Sequence, residues 1–151
     1  MVSLEQFLST VTVEADDGRF AHLFSDAVSR IPSDVRPLVS LASVRLRRRG
    51  RMKGLAGLTR WSEHSKRRMP SGGPGTQTIT YYSSLLDHLS DEAYVAILVH
   101  ELAHAWLNEH VAPAQSPERE READGLAARW GFQLELEQLS REAEAIGDSV
   151  Y

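Results

Sequence analysis

The chain has no cysteine among its 151 residues. Disulfides and thiolate metal sites are therefore excluded, and any zinc site must use nitrogen and oxygen ligands. Long hydrophobic runs are also missing. The longest, Tyr94 to Val99, is far short of the roughly 20 residues a membrane-spanning helix needs. The opening residues, Met1-Val2-Ser3-Leu4-Glu5-Gln6, lack a basic stretch and carry an acid early, unlike a secretory signal. There is no internal repeat and no sign of a second domain. We therefore expect one cytoplasmic domain spanning residues 1–151, with no membrane partner. An apolar content of 42% and a charged content of 25% are ordinary for a globular chain large enough to bury a core.

The net charge of −4 is unevenly spread. Ten of the 17 basic residues fall between Arg45 and Arg68, where only Glu63 opposes them. From Glu118 to Asp148 there are nine acids against four bases. Such asymmetry can mark a surface for anionic partners. With an acidic chain overall, a solvated edge strand guarded by Arg and Lys is the simpler reading, so nucleic acid is not the favoured partner.

Ser3 can cap a first helix over Leu4 to Val11, which Asp17-Gly18 breaks. Phe20, Leu23, Phe24, Ala27 and Val28 recur at helical spacing and predict a second helix that stops at Ile31-Pro32. The period then becomes two: Ala42, Val44 and Leu46 alternate with Ser43, Arg45 and Arg47. Arg49-Gly50-Arg51 reads as a turn, and Met52 to Trp61 as a returning strand weakened by Gly54 and Gly57. Ser62 to Gly75 reads as a mobile loop, and the Thr- and Tyr-rich Thr76 to Ser83 as a strand. The fold class expected is α+β, with a small antiparallel sheet of three strands. Ser90 with Asp91 and Glu92 starts a helix that runs to His110. Pro113 to Pro117 is a loop, and Ser116-Pro117 begins a helix ending at Gly131. A last helix covers Gln133 to Ala145.

The most informative stretch is His100-Glu101-Leu102-Ala103-His104. On a helix, residues four apart lie about 40° apart around the axis and one turn along it, so both imidazoles can share one Zn²⁺. Glu101, about 100° around, is poorly placed as a ligand but well placed as a general base acting on water. The plainer alternative is a pair of satisfied core histidines. Apolar residues cover nearly the whole circumference of this helix, so polar groups on it need a partner, which favours a metal site.

A catalytic zinc needs a third protein ligand and an open position. Glu120 and Asp124 share the apolar face of the next helix, whereas Glu118 and Glu122 point away. A solvated charge run explains Glu118 and Glu122 but not Glu120. Zinc would satisfy Glu120, and a ligand imidazole N–H would satisfy Asp124. His110 is the competing third ligand. It requires a sharp turn where this chain has Leu107, and it reads better as a helix C-terminal His.

His100-Glu101-Leu102-Ala103-His104, followed by Glu120 and by Asp124 one turn later, resembles the gluzincin metallopeptidases, and in its small size the minigluzincins. His100 to Trp106 also looks like the SprT-type proteases, which act on proteins bound to DNA. That family takes its third ligand from a His in a short His-Gly motif, and this chain has no His after His110. ImmA-like proteases have a similar Glu-containing helix. The resemblance implies a zincin-like fold with a central metal-binding helix. It also implies a Zn²⁺ cofactor, a peptide or protein substrate, and Glu101 as the general base. The substrate would add in extended form to an edge strand, assigned here to Thr76–Ser83. Of Tyr81 and Tyr82, which alternate across a strand, at most one faces the cleft. The tail Ile146 to Tyr151 could plug that cleft, as in some minigluzincins. The alternative function is a zinc-bound regulatory or DNA-associated module with little turnover.

Overall fold

Fifteen of the 20 residues in the helix Asp91–His110 are buried, and the rest of the fold is arranged to cover them. In the computed structural model the described residues are 12–14, 18–32, 41–47, 57–62, 76–111 and 116–146. In chain order the elements are β1 (Thr12–Glu14), α1 (Gly18–Arg30), β2 (Leu41–Arg47), β3 (Gly57–Ser62), β4 (Thr76–Tyr82), the single turn α2 (Ser83–Leu86), α3 (Asp91–His110), α4 (Pro117–Ala127) and α5 (Gln133–Ile146). A wider helical segment, Ala128–Phe132, joins α4 to α5. Its Gly131 has φ 104°, a backbone conformation that a residue without Cβ adopts at little cost. No described helix is long and apolar enough to cross a membrane.

The fold is α+β, but the sheet differs from the expected antiparallel three-stranded one. It is mixed and four-stranded, in the order β1-β2-β4-β3. β1, β2 and β4 run parallel, and only β3 is antiparallel, paired with β4 from Gly57↔Tyr81 to Ser62↔Thr76. The anticipated β2–β3 hairpin does not pair with itself, because β4 lies between the two strands. Thr76–Ser83 is accordingly not an edge, and β3 is. The pattern of β4 explains its central place. Gln77, Ile79 and Tyr81 are fully buried and Thr78, Thr80 and Tyr82 half-buried, so both faces are at least partly covered. The glycine-weakened segment takes the edge. β1 is too short to leave a period in the sequence, and α2 was not anticipated either. The helix over Leu4 to Val11, the turn at Arg49-Gly50-Arg51, most of the loop to Gly75 and the tail after Ile146 lie outside the described residues.

Helix α3 packs against β3 and β4 on one side and against α1, α4 and α5 elsewhere. Phe20, Phe24 and Val28 of α1, Ile79 and Tyr81 of β4, and Leu139 of α5 meet Ile97, Leu98 and Leu102 in one core. Each such side chain contributes roughly 1.5–3 kcal/mol by leaving water. The N-terminus of α3 is tied down by polar contacts. Ser90 accepts a hydrogen bond from the Ala93 N–H, donates its hydroxyl to Glu142, and donates its backbone N–H to the same carboxylate at 2.8 Å. From α1, the Arg19 guanidinium donates to the Leu89 carbonyl at 2.7 Å and to Asp91 at 2.9 Å, and it stacks over the Tyr94 ring. These contacts leave α3 little freedom to slide. Ser90→Ala removes the cap and one partner of Glu142, and should lower unfolding free energy by about 1–2 kcal/mol in urea titrations.

Candidate metal centre

The cluster comes from two helices in contact, α3 and α4. α3 supplies His100 and His104, both buried because they sit among Val99, Leu102 and Ala103 in the centre of the core. α4 starts cleanly, with Ser116 accepting a hydrogen bond from the Arg119 N–H and Pro117 in the first turn. That fixed start turns Ala123, Leu126 and Ala127 inward and carries Glu120 and Asp124 with them, each half-buried. Glu118 and Glu122 face away, lining with Leu107, Arg121, Gly125 and Arg129 an open cleft of about 440 Å³ that contains no member of the cluster.

The distances define a triangle of three ligand atoms. His100 Nε2 lies 2.7 Å from Glu120 Oε2 and 3.0 Å from His104 Nε2, and His104 Nε2 lies 3.1 Å from Glu120 Oε2. His100 Nδ1 is 2.8 Å from Asp124 Oδ1. A carboxylate can only accept, so Nδ1 carries a proton toward Asp124, and once Nε2 gives up its own proton its lone pair faces the centre of the triangle. Three acceptors then point at one place. A single proton bridges one edge at a time, whereas a cation satisfies all three. Tetrahedral zinc ligands at about 2.0–2.2 Å stand about 3.3–3.6 Å apart, so the three atoms need only spread by roughly 0.2–0.9 Å to take the ion. His100, His104 and Glu120 could hold a metal ion. The donor set of two imidazoles and one carboxylate suits zinc.

Glu101 is buried beside the triangle, and its negative charge reaches both His100 and the Tyr81 hydroxyl. Tyr81 does not face a cleft. It is fully buried, and its hydroxyl donates to the Leu98 carbonyl at 2.8 Å. His110 stands apart from the cluster at the end of α3, exposed, its ring tilted against Trp106 and 3.4 Å from Glu109. Helix α3 runs through Leu107 without the turn that would bring His110 back. Sequence pattern does not single out Gln77 and Asn108, a buried amide pair at 3.1 Å between β4 and α3. The available signal is an amide at an inward position of a strand that otherwise buries Ile79 and Tyr81.

Burial opposes the charged form of His100, but hydrogen bonds to Asp124 and Glu120 and the charge of Glu101 raise its pKa to about 9. Burial would likewise raise Glu120, but hydrogen bonds from both imidazoles bring it down to about 2. The raised His100 stabilises the metal-free fold fully below 6.5 and loses that contribution as pH rises through about 9. The lowered Glu120 contributes above 4.5 and is lost as pH falls toward about 2. The metal-free protein should therefore be most stable between 4.5 and 6.5 in thermal melts across pH. Zinc must displace the His100 proton, so its apparent affinity should climb about tenfold per pH unit until about 9. Competition with a chromophoric chelator measures this, and a pH-independent affinity would contradict it.

No curated protein and no solved structure matches the chain. A family does: residues 21–117, most of the chain, match the SprT-like family, which is related to zinc metalloproteases. The match takes in most of α1, strands β2, β3 and β4 and the whole of His100-Glu101-Leu102-Ala103-His104, and stops just short of Glu120 and Asp124. Of the likenesses drawn from the sequence, the SprT-like one is the one the match bears out: the chain belongs to the SprT-like family.

Proposed function

We propose that the chain is a zinc-dependent endopeptidase whose metal is held by His100, His104 and Glu120. The observation that carries this reading is the convergence of three lone-pair donors from two helices beside a buried carboxylate, Glu101. The third ligand is then a Glu, as in gluzincins, on a chain of the SprT-like family, where a His would be expected. Zinc bound there supplies Lewis acidity that polarises a scissile carbonyl and makes water a better nucleophile at neutral pH. Asp124 accepts the Nδ1 proton of His100, which fixes its tautomer and keeps Nε2 free to bind. Glu101 takes the proton of the attacking water and delivers it to the leaving amine. An extended substrate adds to β3, the edge strand on the β4 side of the sheet, against which α3 packs. The general base and a ligand are consecutive residues on one helix, so their separation is set by helix geometry.

The purified protein should cleave an unfolded protein substrate, and a chelator should stop it. Glu101→Gln should retain stoichiometric zinc while kcat falls on the order of 10²–10⁴-fold. Loss of zinc with activity would reassign Glu101 as a ligand, and full activity would remove it from the mechanism.

A second reading is a DNA-associated module. It is supported by the family match and by the ten basic residues between Arg45 and Arg68. Most of that segment lies outside the described residues. On this reading the chain binds duplex DNA with a steep salt dependence that weakens when Arg47, Arg48 and Arg49 are replaced by Ala. Equal binding by the triple variant in a fluorescence anisotropy titration would reject it.

A further inference from the structure

Two polar side chains on the buried face of β4 reach across to helix α3. Tyr81 donates its hydroxyl to the Leu98 carbonyl at 2.8 Å, and Gln77 donates its amide N–H to the Ala105 carbonyl at 2.8 Å. Asn108 Nδ2 donates to Gln77 Oε1 at 3.1 Å, which fixes which way the Gln77 amide points. All three residues are buried. The two carbonyls lie on either side of His100-Glu101-Leu102-Ala103-His104, one two residues before it and the other directly after it.

The spacing is commensurate. Residues 98 and 105 are seven apart, which places them about 10.5 Å apart along the axis and only about 20° apart around it. Residues 77 and 81 are four apart, about 13 Å along one face of the strand. The two contacts therefore meet one line on the helix and fix both its rotation and its longitudinal setting against the sheet. Each carbonyl has a second lone pair, so the contact is made alongside the helix's own ladder. On the wheel, His100 is about 200° from Leu98 and turned toward α4, whereas Glu101 is about 60° from it, on the flank toward the sheet. The same two strand positions mark the pairing with the edge strand: Tyr81 is opposite Gly57 and Gln77 opposite Trp61.

We propose that Gln77 and Tyr81 form a two-point clamp that positions the metal-binding segment of α3 relative to the edge strand β3, and so aligns a peptide bond held on that strand with the reacting centre. This rests on the peptidase reading above. Gln77 and Tyr81 are positioning residues: their hydrogen bonds go to the backbone of α3 on either side of the motif. The contacts at Ser90 and Arg19 hold the N-terminal end of α3 but do not reach the sheet at the motif, and a single bond from β4 would leave that segment able to turn about it. Directional bonds at both ends of the motif do not.

The test uses Tyr81→Phe and Gln77→Met in the full chain, with zinc for kinetics and Co²⁺ for magnetic resonance. Paramagnetic shifts of β3 and β4 amides, measured with Co²⁺ bound, fall with the cube of distance and report where the metal sits relative to the edge strand. For folded variants with unchanged metal stoichiometry, we expect altered shifts at residues 57–62. Shifts within α4 should be preserved, and kcat should drop at least about tenfold with KM within about twofold, since misalignment near 1 Å can cost on the order of 10²-fold. A purely structural role would lower the melting temperature alone. Unmoved shifts and unchanged kcat in the folded variants overturn the clamp. If wild type cleaves nothing, the peptidase reading fails and the shifts alone decide the clamp. If wild type binds no Co²⁺, there is no centre to position and the clamp falls too. Should Gln77→Met not fold, Tyr81→Phe decides in the same way.

Discussion

The constraint that governs the rest of the structure is the convergence of three electron-pair donors on one point. Two imidazoles and a carboxylate, with 2.7–3.1 Å between their ligand atoms, repel one another unless something positive joins them. Burial sharpens the conflict, because His100 and His104 are almost wholly withdrawn from solvent. A chain can hold such an arrangement only if the elements carrying it are fixed more firmly than the groups repel. That accounts for a central helix wrapped on nearly all sides, which would be needless for a surface histidine pair.

Two kinds of interaction supply this fixity, and they act in different directions. Apolar burial of Ile97, Leu98 and Leu102 holds α3 in place but is not directional, so it resists removal of the helix more than its rotation. Rotation and sliding are resisted by hydrogen bonds. Ser90 with Glu142 and Arg19 with Leu89 hold the N-terminal end, and Tyr81 and Gln77 hold the flanks of the motif. Opposite them, the capped start of α4 brings Glu120 to the triangle and Asp124 behind His100.

Helices were legible in the sequence because their information is local. The caps at Ser90 and Ser116, the four-residue spacing of the histidines and the inward placement of Glu120 and Asp124 all follow from a 3.6-residue period. The sheet was less legible because pairing is not local. Val44 and Leu46 mark β2 as a strand, and Ile79 and Tyr81 mark β4, but nothing in either run says that they lie side by side and parallel while β3 moves to the outside. The assignment of Thr76–Ser83 as the edge failed for that reason. Threonine and tyrosine suit any strand, and only the burial of Gln77, Ile79 and Tyr81 places β4 in the centre. The family was ambiguous on similar grounds. The motif on α3 is common to several peptidase families, and the acids on α4 pointed toward gluzincins, although the chain matches SprT-like proteins over residues 21–117.

That match ends where the acidic residues of the cluster begin, which separates two tasks within one site. The matched range holds strands β2, β3 and β4 and helix α3, which carries His100, Glu101 and His104. Glu120 and Asp124, on α4, set the charge around them. With both imidazoles neutral, three carboxylates crowd the cluster and give it three negative charges. Without a metal, the balance is eased by keeping a proton on His100, which is why its pKa climbs to about 9 although burial pulls the other way. A divalent cation meets the same need more fully and leaves one net negative charge where a third neutral imidazole in place of Glu120 would leave none. On the proposed peptidase reading, a carboxylate ligand would trade electrophilic strength for tighter retention of the ion, and would leave more of the work of deprotonating water to Glu101.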